Sequence, residues 1–502
     1  MMERKSKSKQ LRTPSGITLV ALVVTIVILI ILAVISINIV FGEDGIINQA
    51  EKAKEHQANA EIEDNEKLGM LDNSIKEYMN GNNSSKGYID NELITSPKIS
   101  DGMIPVYWNG SNWIKTTTDD SKLYNYTNKE WANVVLSDAT FNEDVLDESQ
   151  PYSQLVWIPR FAYKITSNWH STTTGTVEVV FVGTDNKGKD GNVYNGTYAK
   201  ATSGIISGDS MKNYVVEPAF DYGDKKLEGF WIGKFESSHT GCTQEEVTGR
   251  TTFTGNEIMQ IKANVTSWRM ITIGDSFTTC LNMNKTSNLY GLNTDDNVVD
   301  PHMVKNTEWG ACAYLSKSKY GKETEEVFVN NSNEYITGNA GSTASVESVP
   351  GITNVYHTAA GQKASTTGNV YGAYDMSGGA WDRNAAYVNN NHENLQIYGK
   401  SVVDGETKYK EVYEQGITDT QELNYEKAAS KYGDAIYETS KGYSTTNSSW
   451  YSDFAYFVGS NNPFFNRGGY RNDKTGAGVF AFDDTDGNAY AYCGFRVAIP
   501  VL

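Results

Sequence analysis

The sequence is poor in the residues that most catalytic and metal chemistry requires. Only four cysteines occur in 502 residues, Cys242, Cys280, Cys312 and Cys493, and no two stand close enough for a CxxC pair. Zinc-ribbon and thioredoxin-like arrangements are thereby excluded. Six scattered histidines include no HExxH, so a zinc hydrolase of that type has nothing to be built from. Basic residues are also scarce: 43 Lys and Arg stand against 61 Asp and Glu, a net charge of −18, which argues against a nucleic-acid partner. Ten prolines beside 45 glycines and 31 tyrosines favour short strands and turns over long helices. An apolar share of 39% supports a packed core. Length alone suggests about three domains of roughly 150 residues.

Charge is missing altogether from Thr13 to Gly42, and within that stretch Ile17–Phe41 is a run of 25 almost wholly apolar residues. As a helix at 1.5 Å per residue it reaches about 37 Å, enough for a hydrocarbon core of roughly 30 Å. It is longer than the apolar part of a secretory signal peptide, which takes only about 7–15 residues. Arg4, Lys5, Lys7, Lys9 and Arg12 precede it, while Glu43 and Asp44 follow. This asymmetry predicts a single-pass protein of the cell membrane, with the amino terminus inside and the large carboxy-terminal body extracellular.

The basic leader ends in Ser15-Gly16 and runs directly into Ile17-Thr18-Leu19-Val20. In this it resembles a type IV prepilin. The resemblance implies a prepilin peptidase as partner, cleavage between Gly16 and Ile17, and methylation of Ile17. The family usually carries Phe at the first mature position and Glu at the fifth, where this chain has Ile17 and Ala21. Because that glutamate pairs with a neighbouring subunit, its replacement points away from a major filament subunit. Beyond the membrane, Ile46, Ala50, Ala53, Leu68, Leu71, Ile75 and Tyr78 recur at three- and four-residue steps, an amphipathic pattern. The expected order is a leader over 1–16, a transmembrane helix over 17–41 and a helical stalk over 42–81. A small β neck over 86–150 follows, with Asn109-Gly110 as a hairpin turn between Ile104–Trp108 and Asn112–Lys115.

From about residue 151 come six phrases: Val156-Trp-Ile-Pro-Arg160, Gly229-Phe-Trp-Ile-Gly-Lys-Phe-Glu236, Glu308-Trp-Gly-Ala-Cys-Ala-Tyr-Leu315, Gly372-Ala-Tyr-Asp-Met-Ser-Gly-Gly-Ala-Trp381, Asn466-Arg-Gly-Gly-Tyr470 and Gly494-Phe-Arg-Val-Ala498. Physically they read as scaffold, with Gly468-Gly469 suited to tight backbone approach or positive φ and Trp231, Trp381 and Phe495 as core mass. Their order and wording resemble the formylglycine-generating (sulfatase-modifying) enzyme family. That resemblance implies a C-type-lectin-like fold over 151–502, with an insertion at about 388–449 that includes a helical piece near Leu423–Ala429. The fold class expected for the whole chain is α+β, a long amino-terminal helix followed by a β-rich domain. Catalysis does not transfer. The family's oxidases place a reactive cysteine pair shortly before the Gly-Phe-Arg phrase, whereas Tyr470–Tyr492 contains no cysteine and Cys493 has no near neighbour. The four cysteines are open to two readings, distant disulfides or buried small apolar groups.

Between Trp450 and Phe495, 13 of 46 residues are aromatic, more than twice the 12% of the whole chain, interleaved with Asn, Ser, Asp and Gly. Rigid amphipathic rings among small polar residues make a recognition surface, although alternation such as Phe480/Phe482 equally marks half-buried strands. The candidate ligand-binding residues are Trp450, Tyr451, Asn466, Tyr470, Arg471, Asn472, Asp473, Asp483, Asp484, Tyr490 and Tyr492. Among the loop positions, Tyr470, Arg471, Asn472, Asp473, Asp483, Asp484 and Asp486 are expected to be exposed. The tract is similar to the variable region of retroelement-diversified lectin-fold proteins. Asp483–Asn488 and Asn293–Asn297 offer oxygen ligands for a structural calcium, but neither has the EF-hand spacing, and solvated turns explain both. No other cofactor is expected.

These readings converge on a membrane-anchored or pilus-associated bacterial surface protein whose adhesin-like domain binds an extracellular protein or glycan. The alternatives are a structural minor pilin or pseudopilin, packed against other pilin subunits, and an enzyme of the formylglycine-generating type. The intact mass of the membrane form is expected to lack residues 1–16 and to carry one added methyl group. A mass that retains the leader overturns the processing.

Overall fold

The computed structural model describes residues 92–198, 206–207, 210–245, 254–345 and 347–502, together with 24 and 26–28 of the apolar run. The leader expected over 1–16, most of the helix expected over 17–41 and the stalk expected over 42–81 lie outside the described residues. The four described residues of the run are helical, and among the described residues no helix is long and apolar enough to cross a membrane. The chain divides into units of residues 1–86 and 87–502. The second is a β-rich α+β body built on two sheets.

The first sheet has nine strands, each antiparallel to its neighbours, in the order His302–Met303, Val497–Ile499, Gly229–Gly233, Gln154–Pro159, Asn133–Leu136, Met103–Trp108, Trp113–Lys115, Val145–Leu146 and Phe141–Asn142. Its central strands are uninterrupted apolar runs, and every residue of Gln154–Pro159 and Gly229–Gly233 is buried. Trp157 stands opposite Trp231 in register, with ring centroids 5.1 Å apart. Such a pair contributes about 0.5–1.5 kcal/mol beyond the area that it buries. The hairpin at Asn109-Gly110 is present, with Gly110 at φ +98 and Asn109 Oδ1 accepting the amides of Ser111 and Asn112. The separate neck over 86–150 is not. Met103–Trp108 pairs with Asn133–Leu136, which pairs with Gln154–Pro159, so these strands extend the main sheet across the expected boundary at 150.

The second sheet runs Glu411–Tyr413, Trp381–Val388, Phe464–Arg467, Phe482–Thr485, Ala455–Tyr456 and Ser444–Thr445, and Cys493–Phe495 lies parallel to the start of Trp381–Val388. The segment expected as an insertion, 388–449, thus supplies both edge strands, Glu411–Tyr413 and Ser444–Thr445. It also supplies the helix Gln421–Lys427, capped by Thr420, whose hydroxyl accepts the Leu423 amide. Tyr425 packs this helix onto Phe457 at 5.6 Å and Tyr437 at 4.8 Å. Of the two readings of the cysteines, the buried one applies to Cys280, Cys312 and Cys493, which are free thiols. Burial pushes the Cys312 thiol up to about 12 and the Cys493 thiol up to about 11.

One residue joins the sheets. Cys493–Phe495 belongs to the second and Val497–Ile499 to the first, and Arg496 between them is wholly buried. Its Nε and Nη2 both donate to Asp382 Oδ2 at 3.2 Å, Nη1 to the Gly233 carbonyl at 2.7 Å and Nη2 to the Tyr374 carbonyl at 2.8 Å. Arg496→Met leaves the Asp382 carboxylate buried without its counter-charge, an imbalance that costs about 3–5 kcal/mol. The urea midpoint of Arg496→Met is expected to fall accordingly, and Arg496→Met/Asp382→Leu to regain most of the loss. A double variant no more stable than the single one overturns this account.

Candidate functional site

At one end of the second sheet is an open cleft of about 440 Å³, lined by Trp381, Phe454, Tyr456, Tyr470, Asp473, Asp483 and Tyr492. Each comes from a segment with its own anchor. Trp381 opens its strand, and its amide donates to the Tyr492 carbonyl at 2.9 Å, which ties the two segments together. Tyr470 and Asp473 close a turn: the Tyr470 amide donates to Asp473 Oδ2 and the Asp473 amide to the Tyr470 carbonyl, both at 2.9 Å. The chain enters that turn through Gly468 and Gly469, at φ +89 and +74, where a Cβ on Gly469 would sit 2.5 Å from Ala477 Cα. The positive φ expected there is present. Asp483 lies on Phe482–Thr485, opposite Asn466 in register.

The walls are rings in contact. Tyr490 and Tyr492 stack at 5.1 Å, Tyr470 meets Tyr492 at 5.9 Å, and Trp381 meets Phe454 at 6.1 Å. Buried Ala481 and Cys493 pack beneath them with Trp381. No cysteine lines the cleft.

The carboxyls carry the electrostatics. Burial pushes Asp473 up to about 7. Burial, then the adjacent Asp484 and then Asp473, push Asp483 up to about 8. Among the described residues neither meets a lysine, arginine or histidine nitrogen within 4 Å. The cations nearest in sequence are engaged elsewhere: Arg471 lies over the Tyr335 ring at 4.7 Å, and Lys474 bonds Glu347.

Four of the eleven candidate residues, Tyr470, Asp473, Asp483 and Tyr492, therefore line one cleft. Tyr490 supports it from behind, its hydroxyl donating to Asp486 at 3.0 Å. Others fall elsewhere. Trp450 is corrected from ligand contact to core: it is wholly buried, edge-on to Phe480 at 5.1 Å, with Nε1 donating to the Asn168 carbonyl at 3.1 Å. Asn466 is likewise buried, its amide donating to Cys493 Sγ at 3.7 Å. Tyr451 points away from the cleft, its hydroxyl accepting from Lys317 Nζ at 2.8 Å. Asp484, on the opposite strand face from Asp483, accepts from Asn462 and Gln421. The expectation of an exposed loop is also corrected. Asn472 is exposed, whereas Tyr470, Arg471, Asp473, Asp483, Asp484 and Asp486 are half-buried.

Trp381, Phe454 and Tyr456 were not anticipated as lining residues. Phe454 and Tyr456 sit two apart at the strand Ala455–Tyr456, a period-two signal present in the sequence. Trp381 was read as core, and at 4% exposure only a small part of its ring reaches the cleft. The two candidate calcium runs are closed turns, with Asp486 Oδ1 accepting the Asn488 amide and Asp295 Oδ1 the Asn297 amide. Among the described residues no group of three His, Cys, Asp or Glu could hold a metal ion.

No family model matches this chain, and no curated protein matches it. Among solved structures it is similar to Treponema denticola variable protein 1, with 10% identity and a TM-score of 0.23, over 54% of this chain and 85% of that one.

The raised carboxyls set a pH dependence. Both hold protons in the folded chain at a pH where the unfolded chain, with carboxyls near about 4, has lost them. Their contribution to stability is therefore lost as pH rises from about 4 towards the folded values of about 7 and about 8. Asp483→Asn, which cannot ionise, is expected to melt above the wild type at pH 8, by a margin that narrows at pH 5. A margin independent of pH overturns the assignment.

Proposed function

We propose that this chain is a non-catalytic, membrane-anchored or pilus-associated surface protein that displays a C-type-lectin-like domain for binding an extracellular ligand. The observation that carries the reading is the cleft of about 440 Å³, whose volume falls in the range of about 300–1,000 Å³ typical of ligand sites. It is built from segments scattered over 381–492, and its rings face one another across an open mouth. A site for a small molecule or a protruding side chain has this form: aromatic walls give contact area, and a few polar groups fix orientation. The uncharged 17–41 run and the Gly16/Ile17 junction support anchoring after prepilin-type processing. A body that acts outside the cell also fits an acidic chain with no nucleic-acid-binding charge.

The test is a protein and glycan array probed with the full chain in detergent, alongside Tyr470→Ala/Tyr492→Ala. Those two rings are half-buried and exposed respectively, so their removal is expected to leave the fold intact. The wild type is expected to retain at least one ligand that the variant loses by about tenfold or more, since central aromatic anchors carry about 2 kcal/mol or more each. Equal retention by both proteins moves the site elsewhere. Absence of any ligand, with filament assembly impaired by the same variant, favours the minor-pilin alternative.

A further inference from the structure

The cleft pairs two features. Its walls are electron-rich rings, and its polar groups are two carboxyls, Asp473 and Asp483, packed without a cation from the protein. Each accepts only a neighbouring backbone amide, Asp473 from Tyr470 and Asp483 from Asp484. The titratable groups around Asp483 are Asp484 beside it, Asp473 from the facing turn, and Tyr492 and Cys493 from the carboxy-terminal segment. Arg383 acts on Tyr490, Tyr492 and Cys493 from below, fully buried and bonded to the Asn488 carbonyl. Its charge thus acts on the two rings and the thiol and, among the described residues, neither carboxyl has a counter-charge from the protein, so a ligand that holds them ionised must bring positive charge.

Taking the cleft as the ligand site proposed above, we infer that it receives the basic side chain of a protein partner, an arginine or a lysine. Asp473 and Asp483 accept its N–H groups, and Trp381, Tyr470 and Tyr492 face its hydrocarbon stem and charge. Charge-assisted hydrogen bonds to a carboxylate are about twice as strong as neutral ones. A cation over an aromatic face adds further attraction that grows with desolvation. A quaternary ammonium uses the rings but has no N–H for the carboxyls, and a neutral sugar brings no charge to hold the carboxyls ionised. An entering cation also displaces the protons that burial holds on both acids, so binding strengthens as pH rises.

The test is saturation-transfer NMR on the full chain in detergent, with blocked arginine, lysine and citrulline amides and choline as probes. Arginine and lysine amides are expected to bind with roughly millimolar Kd, as a single side chain does, and more tightly at pH 8 than at pH 6. Asp473→Asn/Asp483→Asn, nearly isosteric, is expected to weaken both about tenfold or more and to abolish the pH trend, with near-ultraviolet circular dichroism unchanged. Citrulline or choline binding as tightly as arginine overturns the inference, as does a double variant that binds arginine as well as the wild type. If an array ligand is lost by Tyr470→Ala/Tyr492→Ala but kept by Asp473→Asn/Asp483→Asn, the cleft is a ligand site and only the cation assignment fails. If neither variant loses it, the ligand-site reading fails too.

Discussion

A guanidinium removed from water holds the two sheets of this body in register. Desolvating such a group costs several kcal/mol, which only good geometry and added hydrogen bonds offset. Arg496 makes those bonds through Nε, Nη1 and Nη2 to atoms of three segments: Gly233 in the first sheet, Oδ2 of Asp382 in the second and Tyr374 in the loop that leads to it. A slip of one residue in the carboxy-terminal strand would turn every side chain to the opposite face. It would also leave Asp382 buried opposite an apolar neighbour. The joint therefore sets the pairing of Cys493–Phe495 with Trp381–Val388, and with it the position of Tyr492 against Trp381.

Two buried carboxyls outside the cleft contrast with the pair inside it. Glu438 is deeper than either cleft acid, and burial raises it to about 8. Yet its oxygens accept the hydroxyls of Tyr163 and Tyr314 at 2.9 and 2.8 Å and the Gly433 amide at 2.7 Å, a shell complete within the fold. Asp382 is answered by Arg496. Asp473 and Asp483 have neither kind of answer among the described residues. Glu438 and Asp382 are matched from inside, whereas Asp473 and Asp483 line an open cleft.

Much of the frame was legible in the sequence because it rests on local rules. Asn109-Gly110 forms its hairpin since Gly110 takes positive φ without strain and Asn109 Oδ1 accepts the next amides, and Thr420 starts a helix where its hydroxyl caps the Leu423 amide. Tyr470, Asp473, Asp483 and Tyr492 could be nominated from aromatic and acidic density alone. What density does not encode is direction. Trp450 has the same neighbours in sequence as the lining rings, but a residue fitting against Asn168 and Phe480, far away in the chain or across the sheet, takes it into the core. The neck at 86–150 was misjudged for a related reason. Strand pairing between Asn133–Leu136 and Gln154–Pro159 is a tertiary fact, and a turn-rich segment between two strands looks the same whether it separates domains or joins one sheet.

The same division between frame and rim determines what the cleft could tolerate. Asn466, Arg467 and Phe482 turn inward and are wholly or almost wholly buried, and Arg467 donates to the carbonyls of Asp434, Ala435 and Ala481. A change at any of them disturbs packing or strands a polar group, at a cost of about 1–3 kcal/mol or more. Tyr470, Asn472 and Tyr492 lie on segments held by backbone bonds, such as the Arg471 amide to the Gly379 carbonyl and the Trp381 amide to the Tyr492 carbonyl, both at 2.9 Å, which do not depend on side-chain identity. Substitution there changes the lining of the cleft while the joint at Arg496 and the paired strands keep its shape. The lining and the stability thus rest on different residues of one short tract, so that under the proposed function the ligand could change without the fold having to be rebuilt.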